Sequence, residues 1–366
     1  MSLSSHCHPE RSEGSAFSSF SQLKKQIHRA KTARCGRVPR ARNALGMTAT
    51  LCVAAACLLV GAQHAAPLPP QPQTATYKPE WCKDLPRPEY KTLQRVLPEE
   101  PWFEVYKVAP GVFAIYEPHQ SEEVISYLIV GTKQGLLFDT GMGIANIKSV
   151  VSRLTSRPVV VLNSHTHNDH VGDNWRFQFV YGMDTVFTRA NAKGSHEDAQ
   201  AEITPEQICG ELPKTFNAKT YATKPWRISL FVHDGFKVNL GGRTLEILSV
   251  PGHTPDAIAL IDRANGLLFT GDTYYPAPIW LYRPETNLDQ YVASVKRLAA
   301  LAAQVKTVLG AHNIPVASSD VLPKLLDAIE AVRAGKGEVK SEGAGKAMHT
   351  LDGFKFLLAE PKKGID

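Results

Sequence analysis

The sequence predicts an α/β protein of four layers, two β-sheets packed face to face with helices covering both outer sides. Three observations predict it. From about residue 100, short segments of apolar period two give way repeatedly to segments of helical period. One strand candidate, "PVVVLNS" at 158–164, is almost continuously apolar, which suits a strand buried on both faces. The apolar strands also tend to end in Asp or His, as when a rigid scaffold presents reactive groups in loops just past its strands.

In chain order, "WFEVYKV" (102–108) and "GVFAIYE" (111–117) alternate and are joined by a turn at "APG". "VISYLIVG" (124–131) and "QGLLFDTG" (134–141) are two further strands with a short turn between them. "IANIKSVVSRL" (144–154) has helical spacing and precedes the buried strand at 158–164. The stretch 175–240 is less regular, carries several Pro and Gly, and reads as an insertion of loops with one or two helices. Strands resume at "TLEILSV" (244–250), "AIALIDR" (257–263) and "GLLFTGD" (266–272). "NLDQYVASVKRLAAL" (287–301) is amphipathic, with Asn287 or Asp289 placed to cap it. "VKTVLGAH" (305–312) is another strand, and 318–335 another helix, opened by Ser and Asp and closed by Gly.

The 366 residues hold 41 Lys and Arg against 35 acids, but nine of those bases and only two of the acids fall in 1–46. Residues 47–366 therefore carry a net charge near −1, which excludes the domain-wide basic surface of a nucleic-acid binder. Residues 38–62 have the order of a secretory signal peptide. Arg40 and Arg42 precede an apolar run from Leu51 to Gly61, and Val60-Gly61-Ala62 is a small-residue cleavage signal. The run is shorter than the ~20 residues that span a bilayer, so no stable membrane insertion is expected after cleavage. An exported protein follows, periplasmic or secreted. Residues 1–37 are Ser-rich, basic and aperiodic, and are expected to be a spurious or disordered extension, with the working start at Met47 or near Val38. "PLPPQPQ" (67–73) reads as a polyproline-like spacer within a linker and arm over 63–99, ahead of the main domain at 100–366. Two cysteines, Cys82 and Cys209, follow the signal, and two cysteines in an exported chain commonly pair.

The densest chemistry is "SHTHNDHVG" at 164–172. If the chain at His165 and His167 is still extended, both side chains face one way and can share a metal ion. His253 can complete that site. Past the turn, Asp169 and His170 can face a second ion, completed by His312, and Asp272 can bridge both ions with its two oxygens. Imidazole and carboxylate without thiolate suit two Zn2+, with Fe or Mn also compatible. Such a pair holds a water between the ions and lowers its pKa toward about 7, so that hydroxide forms at neutral pH and no Ser or Cys nucleophile is needed.

These motifs, D-T-G at 139–141, H-x-H-x-D-H at 165–170, G-H-T at 252–254, G-D at 271–272 and the late His312, resemble in kind and order those of the metallo-β-lactamase superfamily. The resemblance implies the αβ/βα sandwich, in agreement with the element order above. Asp139 is assigned a supporting role behind the ligands, and Asp256 a turn hydrogen bond under the 253 loop. The candidate catalytic residues are Asp169, also a ligand, and Tyr275. Quorum-quenching lactonases carry a Tyr three positions past the bridging Asp, where a phenol can donate to a substrate oxyanion; packing under a loop is the alternative. His119 is read as exposed or substrate-contacting, His196 and His233 as parts of the insertion, and Trp280 and Tyr282 as pocket wall or core. The Asp at 272 resembles lactonases and glyoxalase II, whereas "PGHTPD" and export resemble β-lactamases. The expected activity is opening of a lactone or β-lactam ring in a small carbonyl substrate. A glyoxalase II-like thioesterase or other ester hydrolase is the alternative, and a zinc-dependent binding protein the non-enzymatic one.

Overall fold

The computed structural model describes residues 78–360. The extension, signal and spacer expected before residue 78 lie outside the described residues. Eight strands form one sheet in simple chain order: β1 (Gln94–Val96), β2 (Glu104–Ala109), β3 (Val112–Tyr116), β4 (Ile125–Val130), β5 (Gly135–Phe138), β6 (Val159–Leu162), β7 (Val180–Met183) and β8 (Leu230–Val232). Pairing is antiparallel up to β5 and parallel from β5 to β8. A second sheet is built from β9 (Lys237–Asn239), β10 (Thr244–Ser249), β11 (Ile258–Asp262), β12 (Leu267–Gly271), β14 (Thr307–Gly310) and β15 (Ala317–Ser318).

Side-chain alternation explains why the sheets stack. Tyr127, Phe138 and Leu162 of the first sheet meet Ile247, Ile258, Leu260, Phe269 and Leu309 of the second in one buried cluster. The intervening residues face outward. Leu128, Leu137 and Val161 pack under helix α1 (Ile147–Leu154) through Ile147, Val150 and Val151. Ala259, Ile261, Leu268 and Val308 pack under α5 (Leu288–Ala299) and α6 (Val321–Arg333) through Tyr291, Val295, Leu298, Leu325 and Ile329. The result is the four-layer arrangement. Asn287, rather than Asp289, caps α5 by accepting from the Gln290 amide at 3.0 Å. Among the described residues no helix is long and apolar enough to cross a membrane.

The structure departs from the sequence reading in three places. A third sheet joins β13 (Ile279–Leu281) to a C-terminal meander of β16 (Glu338–Gly343), β17 (Lys346–Leu351) and β18 (Phe354–Ala359). The stretch 175–240 contains the short helices α3 (Val186–Asn191) and α4 (Glu197–Ala201), but it also supplies β7 and β8, so it extends the first sheet. The arm is built into the fold from residue 78: β1 pairs with β2, and buried Tyr90 stacks on Tyr116 with ring centroids 4.5 Å apart. Cys82 and Cys209 form a disulfide with Cα atoms 5.8 Å apart, inside the usual range.

Candidate metal centre

The seven candidate ligands come from loops at the C-terminal ends of four strands. The loop after β6 carries His165 and His167 and then enters the one-turn helix α2 (Asn168–Val171), which turns Asp169 and His170 toward a second position. His253 follows β10, Asp272 follows β12 and His312 follows β14. The His253 loop needs Gly252. Its φ of +142° is disfavoured for other residues, and a Cβ there would lie 2.2 Å from the Tyr291 backbone nitrogen.

The structure brings all seven together. His165 Nε2 lies 3.0 Å from His167 Nδ1, which is 3.1 Å from His253 Nε2. On the other side, His170 Nε2 lies 3.0 Å from Asp169 Oδ2, and His312 Nε2 lies 3.8 Å from the same oxygen. Asp272 stands between the two trios. Its Oδ2 is 3.5 Å from His253 Nε2 and 4.0 Å from His165 Nε2, while His312 Nε2 lies 3.0 Å from Oδ1 and 3.1 Å from Oδ2, and His170 Nε2 lies 3.4 Å from Oδ1.

The chemistry of the donors fits divalent cations. His170 Nε2 and Asp272 Oδ1 are buried and, despite neighbours at 3.0 Å, make no hydrogen bond of acceptable geometry among the described residues, although such groups ordinarily make one. Burial, reinforced by neighbouring imidazoles, holds His165 well below its ordinary pKa, and burial pushes His253 down to about 4. Both are thereby kept neutral, the form that ligates. For Asp169 and Asp272 burial acts upward, but nearby imidazoles, chiefly His170 for Asp169 and His312 for Asp272, outweigh it and keep both ionised.

The outward nitrogen of every imidazole is held, as ligating imidazoles require. Ser164 Oγ is 3.0 Å from His165 Nδ1, the Trp280 carbonyl 2.8 Å from His253 Nδ1, and the Glu122 carbonyl 2.6 Å from His312 Nδ1. Asp139 Oδ2 is 3.0 Å from His170 Nδ1, while Oδ1 accepts the Ser164 amide at 2.6 Å. Asp139 therefore lies behind the donors rather than among them. Asp256 accepts from Thr166, Thr188 and Thr254, and so ties the His165–His167 loop and helix α3 to its own loop under the centre.

Tyr275, the other candidate catalytic residue, lines the pocket at the centre, with its hydroxyl engaged by the loop that follows. Its ring lies 4.7 Å from that of His312, but its hydroxyl donates to the Pro278 carbonyl at 2.9 Å and accepts the Trp280 amide at 3.2 Å. In this arrangement the hydroxyl proton braces the 278–280 loop, the packing alternative, and donation to a substrate oxyanion would require it to leave the Pro278 carbonyl. His119 packs on Trp102, lies 3.1 Å from the Cys209 carbonyl through Nδ1, and lines a cavity of about 640 Å³ that contains none of the seven donors. His196 precedes α4, and His233 bonds its neighbour Asp234, so neither reaches the centre. Trp280 is pocket wall, whereas half-buried Tyr282 sits under Lys346.

Sequence reasoning missed Glu122, Glu202 and Arg283, which line the mouth beside Trp280, and Glu285, which contacts His167. They share no fixed spacing with the donors. The one available signal was the position of Arg283 and Glu285 in the loop after Asp272.

A family model described as the metallo-beta-lactamase superfamily matches residues 123–312. An acyl-coenzyme A thioesterase, MBLAC2, of Gallus gallus is 25% identical over 224 residues, covering 58% of this chain and 80% of that protein. A hydroxyacylglutathione hydrolase, GloC, of Haemophilus influenzae is 29% identical over 150 residues, 40% of this chain and 64% of that one. Among solved structures, a metallo-beta-lactamase from Pontibacter korlensis aligns with a TM-score of 0.47 at 18% identity, covering 62% of this chain and 99% of the other.

Proposed function

The chain belongs to the metallo-β-lactamase superfamily and is a hydrolase, and we propose that it uses two divalent cations, zinc first, to cleave an acyl thioester whose carrier is negatively charged. His165, His167 and His253 would hold one cation, Asp169, His170 and His312 the other, and Asp272 would reach both. Bound there, the cations supply Lewis acidity, which acidifies water and polarises a carbonyl. The chain supplies the rest. Trp280 gives the acyl group an apolar wall, and the Tyr275 hydroxyl fixes the backbone at 278–280 that carries it.

Arg283 is the observation that carries the substrate reading. Its half-buried guanidinium lines the mouth of the centre and forms no ion pair among the described residues; Asp169, Glu285 and Glu202 act on it only at a distance. A half-buried cation so placed offers a partner to a phosphate or carboxylate on the substrate. The two relatives named above act, by their names, on thioesters of coenzyme A and glutathione, both anionic carriers. A neutral lactone would leave Arg283 unused, which moves preference away from the lactone reading. Opening of a β-lactam remains as a second reading. The Cys82–Cys209 disulfide favours it, since such bonds persist in oxidising compartments and so support export, and β-lactam substrates also carry a carboxylate.

The test is a panel of an acyl-CoA, an S-acylglutathione, a β-lactam and a neutral lactone, with and without chelator. We expect the acyl thioesters to be the best substrates and chelator to abolish turnover. Arg283→Ala should raise KM for the anionic substrates by roughly 10- to 100-fold, the worth of one hydrogen bond to a charged group, with kcat nearly unchanged. A lactone as best substrate, with KM insensitive to Arg283→Ala, would reject the reading.

A further inference from the structure

His167 differs from the other four imidazoles of the centre. They turn Nε2 inward and Nδ1 outward, whereas His167 turns Nδ1 inward, toward His165 and His253. Its outward Nε2 lies 2.7 Å from Glu285 Oε1. Among the described residues only two of the five imidazoles have a carboxylate behind them, one in each trio: Asp139 behind His170 and Glu285 behind His167. Both Glu285 and His167 are largely buried, with side-chain exposures of 19% and 14%, so solvent screens the contact only in part.

The segment bearing Glu285 is anchored independently of that contact. Thr286 Oγ1 donates to the His253 carbonyl at 3.2 Å, and the Asn287 amide donates to the Gly252 carbonyl at 2.8 Å. Asn287 also caps α5. Residues 285–287 thus clasp the His167 and His253 loops together, beginning five residues past Trp280 and two past Arg283, both of which line the pocket.

We propose that Glu285 is a positioning residue for the first metal site, accepting the Nε2–H of His167 so that the lone pair stays on Nδ1. This rests on the dinuclear reading above and deepens it. A carboxylate acceptor fixes the tautomer and ring orientation and makes the imidazole a stronger donor to a cation. Because Glu285 shares a loop with Arg283, the same contact couples occupancy of the first site to the placement of the substrate-binding cation.

The experiment is a chelator competition on the zinc-loaded protein, resolving the two ions, for wild type, Glu285→Ala and Glu285→Gln. Glu285→Ala should weaken one ion by 10- to 100-fold, the usual effect of losing such a partner, and leave the other unchanged. Glu285→Gln should recover part of the loss, because its amide oxygen still accepts the Nε2–H. Thermal unfolding of the metal-free proteins should coincide, since Thr286 and Asn287 keep the segment in place. Wild-type affinity for both ions in Glu285→Ala overturns the proposal alone, and equal weakening of both ions, or a lowered metal-free melting temperature, replaces it with a general structural role. A wild-type protein that takes up no zinc overturns the dinuclear reading, and the proposal with it.

Discussion

Asp272→Ala should lower turnover by roughly 10³-fold, about 4 kcal/mol of barrier, while the protein stays folded. Asp272 is the one donor that reaches both trios, with Oδ1 near His170 and His312 and Oδ2 near His312, His253 and His165. Truncation leaves two groups of imidazoles with nothing between them, so the two proposed cations would lose their shared ligand and their spacing. The apolar side chains beneath it, Leu268 and Phe269, belong to separate core clusters and do not depend on the carboxylate. Steady-state kinetics with circular dichroism and metal analysis on the same preparation would check this. Retained turnover would contradict the assigned role. Substrate affinity kept by a wild-type protein that never turned over would support the binding-protein alternative.

The second large effect concerns the bridge between Cys82 and Cys209. It joins residues 127 apart in sequence. The chain-entropy account gives about 5 kcal/mol for closing so long a loop, and removal of native bridges typically costs about 2–5 kcal/mol. The Cys82→Ser/Cys209→Ser protein should therefore unfold at clearly lower denaturant. The damage should also reach the centre. The Cys209 amide donates to the His119 carbonyl at 2.8 Å, the Ser121 amide to the Gln207 carbonyl at 2.9 Å, and the carbonyl of the next residue, Glu122, faces His312 Nδ1. Loosening 207–209 frees the loop that orients His312. Chemical denaturation together with zinc affinity would check both parts. Unchanged stability would contradict the structural weight given to the bridge, and lost stability with unchanged zinc affinity would contradict the proposed link to His312.

The sequence was most legible where physics imposes a period or a fixed order. The central strands are buried on both faces, so their composition alone marked them: "ISYLIV", "GLLF" and "LLFTG" are nearly all buried. The donors were legible because each sits just past such a strand. The C-terminal meander was harder to see, since β16 is exposed throughout and has no apolar face to alternate. A signal did exist in Asp352-Gly353, both at positive φ as a two-residue hairpin turn requires. β7 and β8 are four and three residues long, too short to set a period.

Residues recruited by tertiary contact left no local trace. Glu285 is 118 positions from His167, and only folding places them together. The offset of Tyr275 from Asp272 was readable, but the partners of its hydroxyl were not, because they depend on how residues 275–280 turn back on themselves. The arm before residue 100 carries no period, and it is held by aromatic stacking of Tyr90 on Tyr106 and Tyr116 instead.

Elemental analysis of the purified protein, before and after reconstitution with zinc, tests the central claim most directly. Two transition-metal ions per chain are predicted, falling toward one in Asp272→Ala. Fewer than one ion per wild-type chain after reconstitution would contradict the account of these seven side chains as a dinuclear centre.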